Sequence, residues 1–256
     1  MLALSVCSIG IHAQSDESKR FVHEVLQKGD ILPTELKDSL IDKDFSVLWT
    51  KAPNWLVYGF IGNDYQRLRM KLLSVIMDPD NPNRYHVYGK DKVKNNICEF
   101  QGEFEITNIR RYNDIDFGLD EIYRDSSIHG RFLVCGTYRL LEDPIQRFSG
   151  TFTGSFASYF YIDRNGKVRY DDIEDVADGY TNNQFVGTWQ PYHDGPTKRC
   201  NWGDFRIPNG RDMDIGAGCF SPADEYLANG WRSYRDAYFG SQNDKAFVIE
   251  REEWWR

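Results

Sequence analysis

Six aromatic residues fall within a short polar stretch: Trp189, Tyr192, Trp202, Phe205, Trp231 and Tyr234. Around them stand Gly, Asn, Asp and Arg. Flat rings beside polar donors suit a sugar or small-ligand site, because the faces stack and the polar groups orient. The ligand-binding set taken from this stretch is Trp189, Tyr192, Trp202, Trp231 and Tyr234. The same rings could instead anchor a loop-rich lid. Two acidic groups, Asp171-Asp172-x-Glu174-Asp175 and Asp212-x-Asp214, offer oxygen ligands for calcium or form solvated loops. Neither has the twelve-residue loop spacing of a calcium-binding helix pair.

Catalytic patterns are missing. The five histidines, His12, His23, His86, His129 and His193, are scattered, and no HExxH occurs. No G-x-S-x-G elbow occurs, and Ser155 lies in an alternating strand beside Thr151 and Thr153. No metal, cofactor or catalytic residue is assigned. The first functional expectation is a non-catalytic binding protein for a small amphipathic ligand or a glycan. A carboxylate-dependent hydrolase and a structural or protein-interaction module are the alternatives.

These residues must be positioned by strands. From Arg147 to Ile162 the chain alternates strictly. Phe148, Gly150, Phe152, Gly154, Phe156, Ser158, Phe160 and Ile162 fall on one face, and small or hydroxylic residues on the other. That is a half-buried β-strand. Gly150 and Gly154 on the apolar face allow it to bend and leave room for a neighbour's ring. Cys98-x-Phe100-x-Gly102-x-Phe104 and Phe132-x-Val134-x-Gly136-x-Tyr138 repeat the device. Strands are expected at 55–61, 65–77, 84–89, 93–107, 128–141, 167–170, 185–190 and 246–249. The Asn165-Gly166 turn marks a hairpin. The fold expected is mainly β, a curled antiparallel meander or β-barrel, with short helices near both ends.

Residues 14–256 read as one β-rich domain, with helices in 15–45 and a loop-rich aromatic segment over 189–240. A split near 170–180 stays open. Helices at 15–29 and 33–41 pack on, or plug, an open side of the sheet. Ser221-Pro222-Ala223-Asp224 opens another helix. Residues 108–127 form a lid or flap.

At 256 residues, with 41% hydrophobic and 15% aromatic residues, the chain can bury a large core. A net charge of −8 excludes an ordinary nucleic-acid phosphate binder. Residues 1–13 read as a signal peptide with an apolar stretch from Leu2 to Ile11, cleaved after Ala13, although no basic residue precedes it. Its apolar stretch is too short to span a bilayer. Removing it leaves Cys98, Cys135, Cys200 and Cys219. Face parity argues against a Cys98–Cys135 bridge. A Cys200–Cys219 disulfide, or four free thiols, are the remaining readings. The chain is therefore expected to be exported, periplasmic or extracellular.

The curled meander with Gly187-Thr188-Trp189 resembles the calycins, the lipocalin- and avidin-like barrels. Residues 180–234, with Asn182-Asn183-Gln184-Phe185 and Asp214-Ile215-Gly216-Ala217-Gly218, resemble uncharacterised exported proteins of Gram-negative bacteria. The first resemblance implies a barrel, and the second implies export.

Overall fold

A computed structural model describes residues 15–113, 128–239 and 243–256. The expected leader lies outside the described residues, as does most of the expected lid.

The alternating stretch forms β6 (Gly150–Ile162). Its Phe152, Phe156 and Phe160 point inward and are fully buried. The five strands before it run as a meander: β1 (Val57–Ile61), β2 (Gln66–Met77), β3 (Arg84–Val93), β4 (Asn96–Arg111) and β5 (Gly130–Glu142). β8 (Asn182–Pro191) and β9 (Lys198–Asp204) follow, and β9 pairs with β1. Every pairing is antiparallel, and β5 joins β6, so eight strands close into a barrel. The short β7 (Val168–Tyr170) lies on the far end of β6, beyond β8. Closure leaves these eight strands no free edge.

The inward glycines act as expected. A Cβ on Gly136 would stand 2.5 Å from Phe156 Cζ, and one on Gly154 would stand 2.7 Å from Tyr138 Oη. Rings from neighbouring strands fill these gaps, so the barrel is a packed core. Phe185 stacks on Trp202 at 4.7 Å with their planes 8° apart.

One end of the barrel is plugged by the chain before β1. Phe45, Leu48 and Trp49, around α3 (Ser46–Thr50), enter the core. Trp49 meets Tyr85, Phe104 and Phe156 edge-on, and its Nε1 donates to Ser158 Oγ at 3.1 Å. The helix α1 (Asp16–Leu26) lies outside. Its Phe21 and Val25 cover Leu133, Cys135, Ala157 and Val186 on the outer faces of β5, β6 and β8. Ser15 caps α1 by accepting from Ser18 N. A short α2 (Lys37–Leu40) leads to the plug.

After β9, loops and two helices, α4 (Arg232–Tyr238) and α5 (Asp244–Arg251), cover β1 from outside. Outward Tyr58 and Phe60 pack there against Phe220, Trp231 and Tyr234.

Four expectations need correction. Residues 246–249 lie in the helix α5, not a strand; Asn243 caps it by accepting from Lys245 N and Ala246 N. Residues 198–204, read as loop, are the closing strand β9. Phe148 does not continue β6 inward. It adopts φ +58° and is 74% exposed, in the turn before Gly150. Cys200 and Cys219 form no disulfide. Cys200 is buried inside the barrel and Cys219 is exposed on an outer loop. Cys98 and Cys135, on opposite faces as expected, are free thiols too.

Candidate functional site

Glu142 ends β5 in the inward register set by Tyr138 and Leu140. Its Oε2 accepts from Gly150 N and from Trp189 Nε1, both at 2.6 Å. Its backbone carbonyl accepts from Tyr192 Oη at 2.8 Å. One residue thus fixes both Trp189 and Tyr192, the first two members of the expected ligand set. Beside it, inward from β3, sits Asp91, with a side-chain hydrogen bond linking the two carboxyls.

Asp91 and Glu142 are 2% and 3% exposed. Burial pushes both carboxyls up, and for Asp91 the charge of Glu142 adds to it. Trp189, Asp91 and Gly150 donate to Glu142 and partly offset its rise. No donor reaches Asp91 Oδ2. A proton held on Asp91 and given to Glu142 accounts for that oxygen, since two adjacent buried carboxylates cannot both ionise. Burial also pushes the neighbouring Cys98 thiol up to about 12, so it is not a nucleophile at neutral pH.

Over this junction, on the outer side, lies an open cleft of about 500 Å³. Tyr88 and Tyr192 line it, with Glu99, Gln101, Asp143 and Pro144. The rings come from β3 and from the residue just after β8; the polar groups come from β4 and the turn after β5. Lys90 pairs with Glu99 at 3.0 Å. Gln146 Oε1 accepts from Glu99 N at 2.8 Å, which ties the turn to β4. The size is that of a small-ligand site, and rings beside carboxylate and amide groups suit a hydroxylated ligand.

Of the expected ligand set, Tyr192 lines the cleft, whereas Trp189 is buried in the barrel core and meets the junction only through its bond to Glu142. The other three lie elsewhere. Trp202 is in the barrel core. Trp231 is buried in the outer cluster and donates to Tyr65 O at 2.8 Å. Tyr234 Oη donates to Phe220 O at 3.1 Å. Three of the acidic residues, Asp171, Asp212 and Asp214, are taken up by structural contacts. Asp171 binds Arg131 at 2.8 Å, and Asp214 binds Arg206 at 2.8 Å. Asp212 accepts from Tyr65 and Tyr226, each at 3.2 Å. Among the described residues, no three His, Cys, Asp or Glu side chains converge as a metal site.

No family model, curated protein or solved structure matches this chain. Among the described residues, no helix is long and apolar enough to cross a membrane.

A second polar group sits inside the plugged end. Asp204, last in β9, is 4% exposed. Its Oδ2 accepts from Tyr170 Oη at 3.0 Å and Asn183 Nδ2 at 2.7 Å. Asn183 reaches inward because β8 bulges against β9 between Asn182 and Phe185, with Asn183 at φ +44°. Outward Asn182 stands in for ladder groups, bonding Tyr159 N and O. Burial pushes the Asp204 carboxyl up to about 7, against the hydrogen bonds of Tyr170 and Asn183.

This sets a pH dependence. Unfolded, Asp204 loses its proton near pH 4. Folded, it keeps it to about 7. Between those values the folded state binds more protons, so stability is full in acid and falls as pH rises. The loss is about 4 kcal/mol across the window. Raised Asp91 and Glu142 act with the same sign. Lowered Glu17 and Glu250 lose their contribution only in more acidic solution. The urea midpoint should fall from pH 5 to pH 7.5, and Asp204→Asn should flatten the fall. An unchanged slope in that variant would remove Asp204 as its source.

Asp91, Glu142, Asn183 and Asp204 were not singled out from the sequence. For Asp91 and Glu142 a signal was present: each extends an inward row, Val87-x-Gly89-x-Asp91 and Tyr138-x-Leu140-x-Glu142.

Proposed function

We propose that this chain is an exported, non-catalytic binding protein that holds a glycan or a small amphipathic ligand in the outer cleft. The observation that carries this reading is the pairing of a filled barrel with an open cleft flanked by Tyr88 and Tyr192. A lipocalin-style ligand inside the barrel would have to displace Phe104, Phe156, Phe185 and Trp202. Tyr192 is held through its hydroxyl, so its ring is set before a ligand arrives, which lowers the ordering cost of binding.

The hydrolase alternative has less support. Glycosidase carboxyls flank a cleft about 5–9 Å apart. Asp91 and Glu142 are instead buried and bonded to each other. Export rests on the apolar leader read in residues 1–13.

The test is a glycan array with the full chain, followed by titration of the best hit. Tyr192→Ala and Tyr88→Ala should each weaken binding about tenfold, the value of one lost stacking contact. Tyr192→Phe should keep most of the stacking while freeing the ring from Glu142. Affinity unchanged in both alanine variants would reject the cleft.

A further inference from the structure

We propose that a pocket between the plug and β2 binds a primary ammonium group on a short apolar chain. Asn183 Oδ1 and Asp204 are its acceptors, and the rings of Trp49, Phe185 and Trp202 form its walls. This site is separate from the outer cleft and does not depend on that reading.

The pocket is lined by these five residues and by Ala52 at its rim, among others. Its volume is about 30 Å³. That is the size of one water molecule or one ammonium head, so an attached chain must leave past the rim. Asn183 is 4% exposed, and both hydrogens of its Nδ2 are used, on Leu48 O at 2.8 Å and Asp204 Oδ2 at 2.7 Å. Its Oδ1 is buried with no donor. A buried acceptor without a donor costs about 1–3 kcal/mol, so the pocket presents an unmet demand for N–H or O–H.

The charge and the walls choose between those donors. Above about pH 7, where Asp204 is ionised, it brings a carboxylate to the same place and favours a cation over a hydroxyl. The buried aromatic walls keep water from that charge, which strengthens its pull on a cation. Lys71 also lines the pocket and its charge acts on Asp204, but it gives Asn183 Oδ1 no hydrogen. Its Nζ stands 5.0 Å from the Trp255 ring centroid. The rim is stitched rather than sealed: Asn54 Nδ2 donates to Met70 O, and Trp254 Nε1 donates to Asn54 Oδ1.

The experiment is calorimetric titration of the full chain at about pH 8.5, where Asp204 is ionised, with n-butylammonium chloride, and with n-butanol as the uncharged counterpart. Butylammonium should bind at least about tenfold tighter than butanol. Asp204→Asn should weaken it by a similar factor. Ala52→Trp, which blocks the rim without touching the acceptors, should abolish it. Equal binding of the two probes would reduce the pocket to an apolar slot and overturn the proposal. So would binding that survives Ala52→Trp, or no heat from butylammonium at millimolar concentration. Should Asp204→Asn fail to fold, the butanol comparison and the Ala52→Trp variant decide.

Discussion

Gly154→Val is expected to cost the barrel about 3–5 kcal/mol, enough to unfold much of a domain of ordinary stability. A Cβ at Gly154 would stand 2.2 Å from Val186 O, 2.7 Å from Gly187 Cα and 2.7 Å from Tyr138 Oη. Two of these atoms are backbone and belong to the paired strand β8, so no rotamer change relieves the clash. Gly154 faces Gly187 across β6–β8 and Tyr138 across β5–β6, where three strands crowd. Opening that seam exposes the packed Phe156, Phe185 and Trp202. Thr153→Val, one residue away on the outer face, serves as the control and should cost under about 1 kcal/mol. Urea unfolding of the three proteins is the check. A Gly154→Val chain as stable as the control would mean the barrel does not close this tightly.

Glu250→Ala is expected to cost about 3–5 kcal/mol and to loosen α4 and α5 from the barrel wall. Glu250 projects from α5 with its side chain 1% exposed. Arg67 reaches it with two bonds, at 2.9 and 2.5 Å, and Arg69 with one at 3.1 Å. Ser233 on α4 donates to it at 2.6 Å. Burial pushes the carboxyl up, but the Arg67 and Arg69 bonds and charges outweigh this and hold it below the usual range. Without it, two half-desolvated guanidiniums stand side by side. Burial, and then the charge of Arg67, already push Arg69 down to about 10. Arg67 also lies over the Trp231 ring, 5.0 Å from its centroid, so the outer aromatic cluster loses its anchor too. Hydrogen exchange should rise first over residues 232–251. Exchange unchanged there, with full stability, would show the ion cluster to be idle. Glu250→Gln should lose less, since it keeps the acceptor and the volume.

The barrel was legible where inward and outward residues differ in kind. β6 alternates Phe against Thr and Ser, and its inward glycines foretold the rings that fill them. β9 was hidden because its inward row, Lys198, Cys200, Trp202 and Asp204, is as polar as its outward row. The run Ala246-Phe247-Val248-Ile249 has strand composition. It is helical because Asn243 caps it and Glu250 finds Arg67 some 180 residues upstream, a partner that no local pattern names. The aromatic stretch names Trp189 and Tyr192, which both reach Glu142, but only Tyr192 lines the cleft. It grouped them with Trp202, Trp231 and Tyr234 because proximity in sequence stood in for the barrel wall between them. The carboxyl groups Asp91, Glu142 and Asp204 gain their character chiefly from burial, which depends on closure.

The most direct measurement is a two-dimensional amide and side-chain NMR titration of the full chain with the best glycan-array hit. The cleft reading predicts shifts at Tyr88, Glu99, Gln101, Asp143 and Tyr192, with the interior resonances of Phe156, Phe185 and Trp202 unmoved. Shifts concentrated on those interior rings would place the ligand inside the barrel and contradict the account.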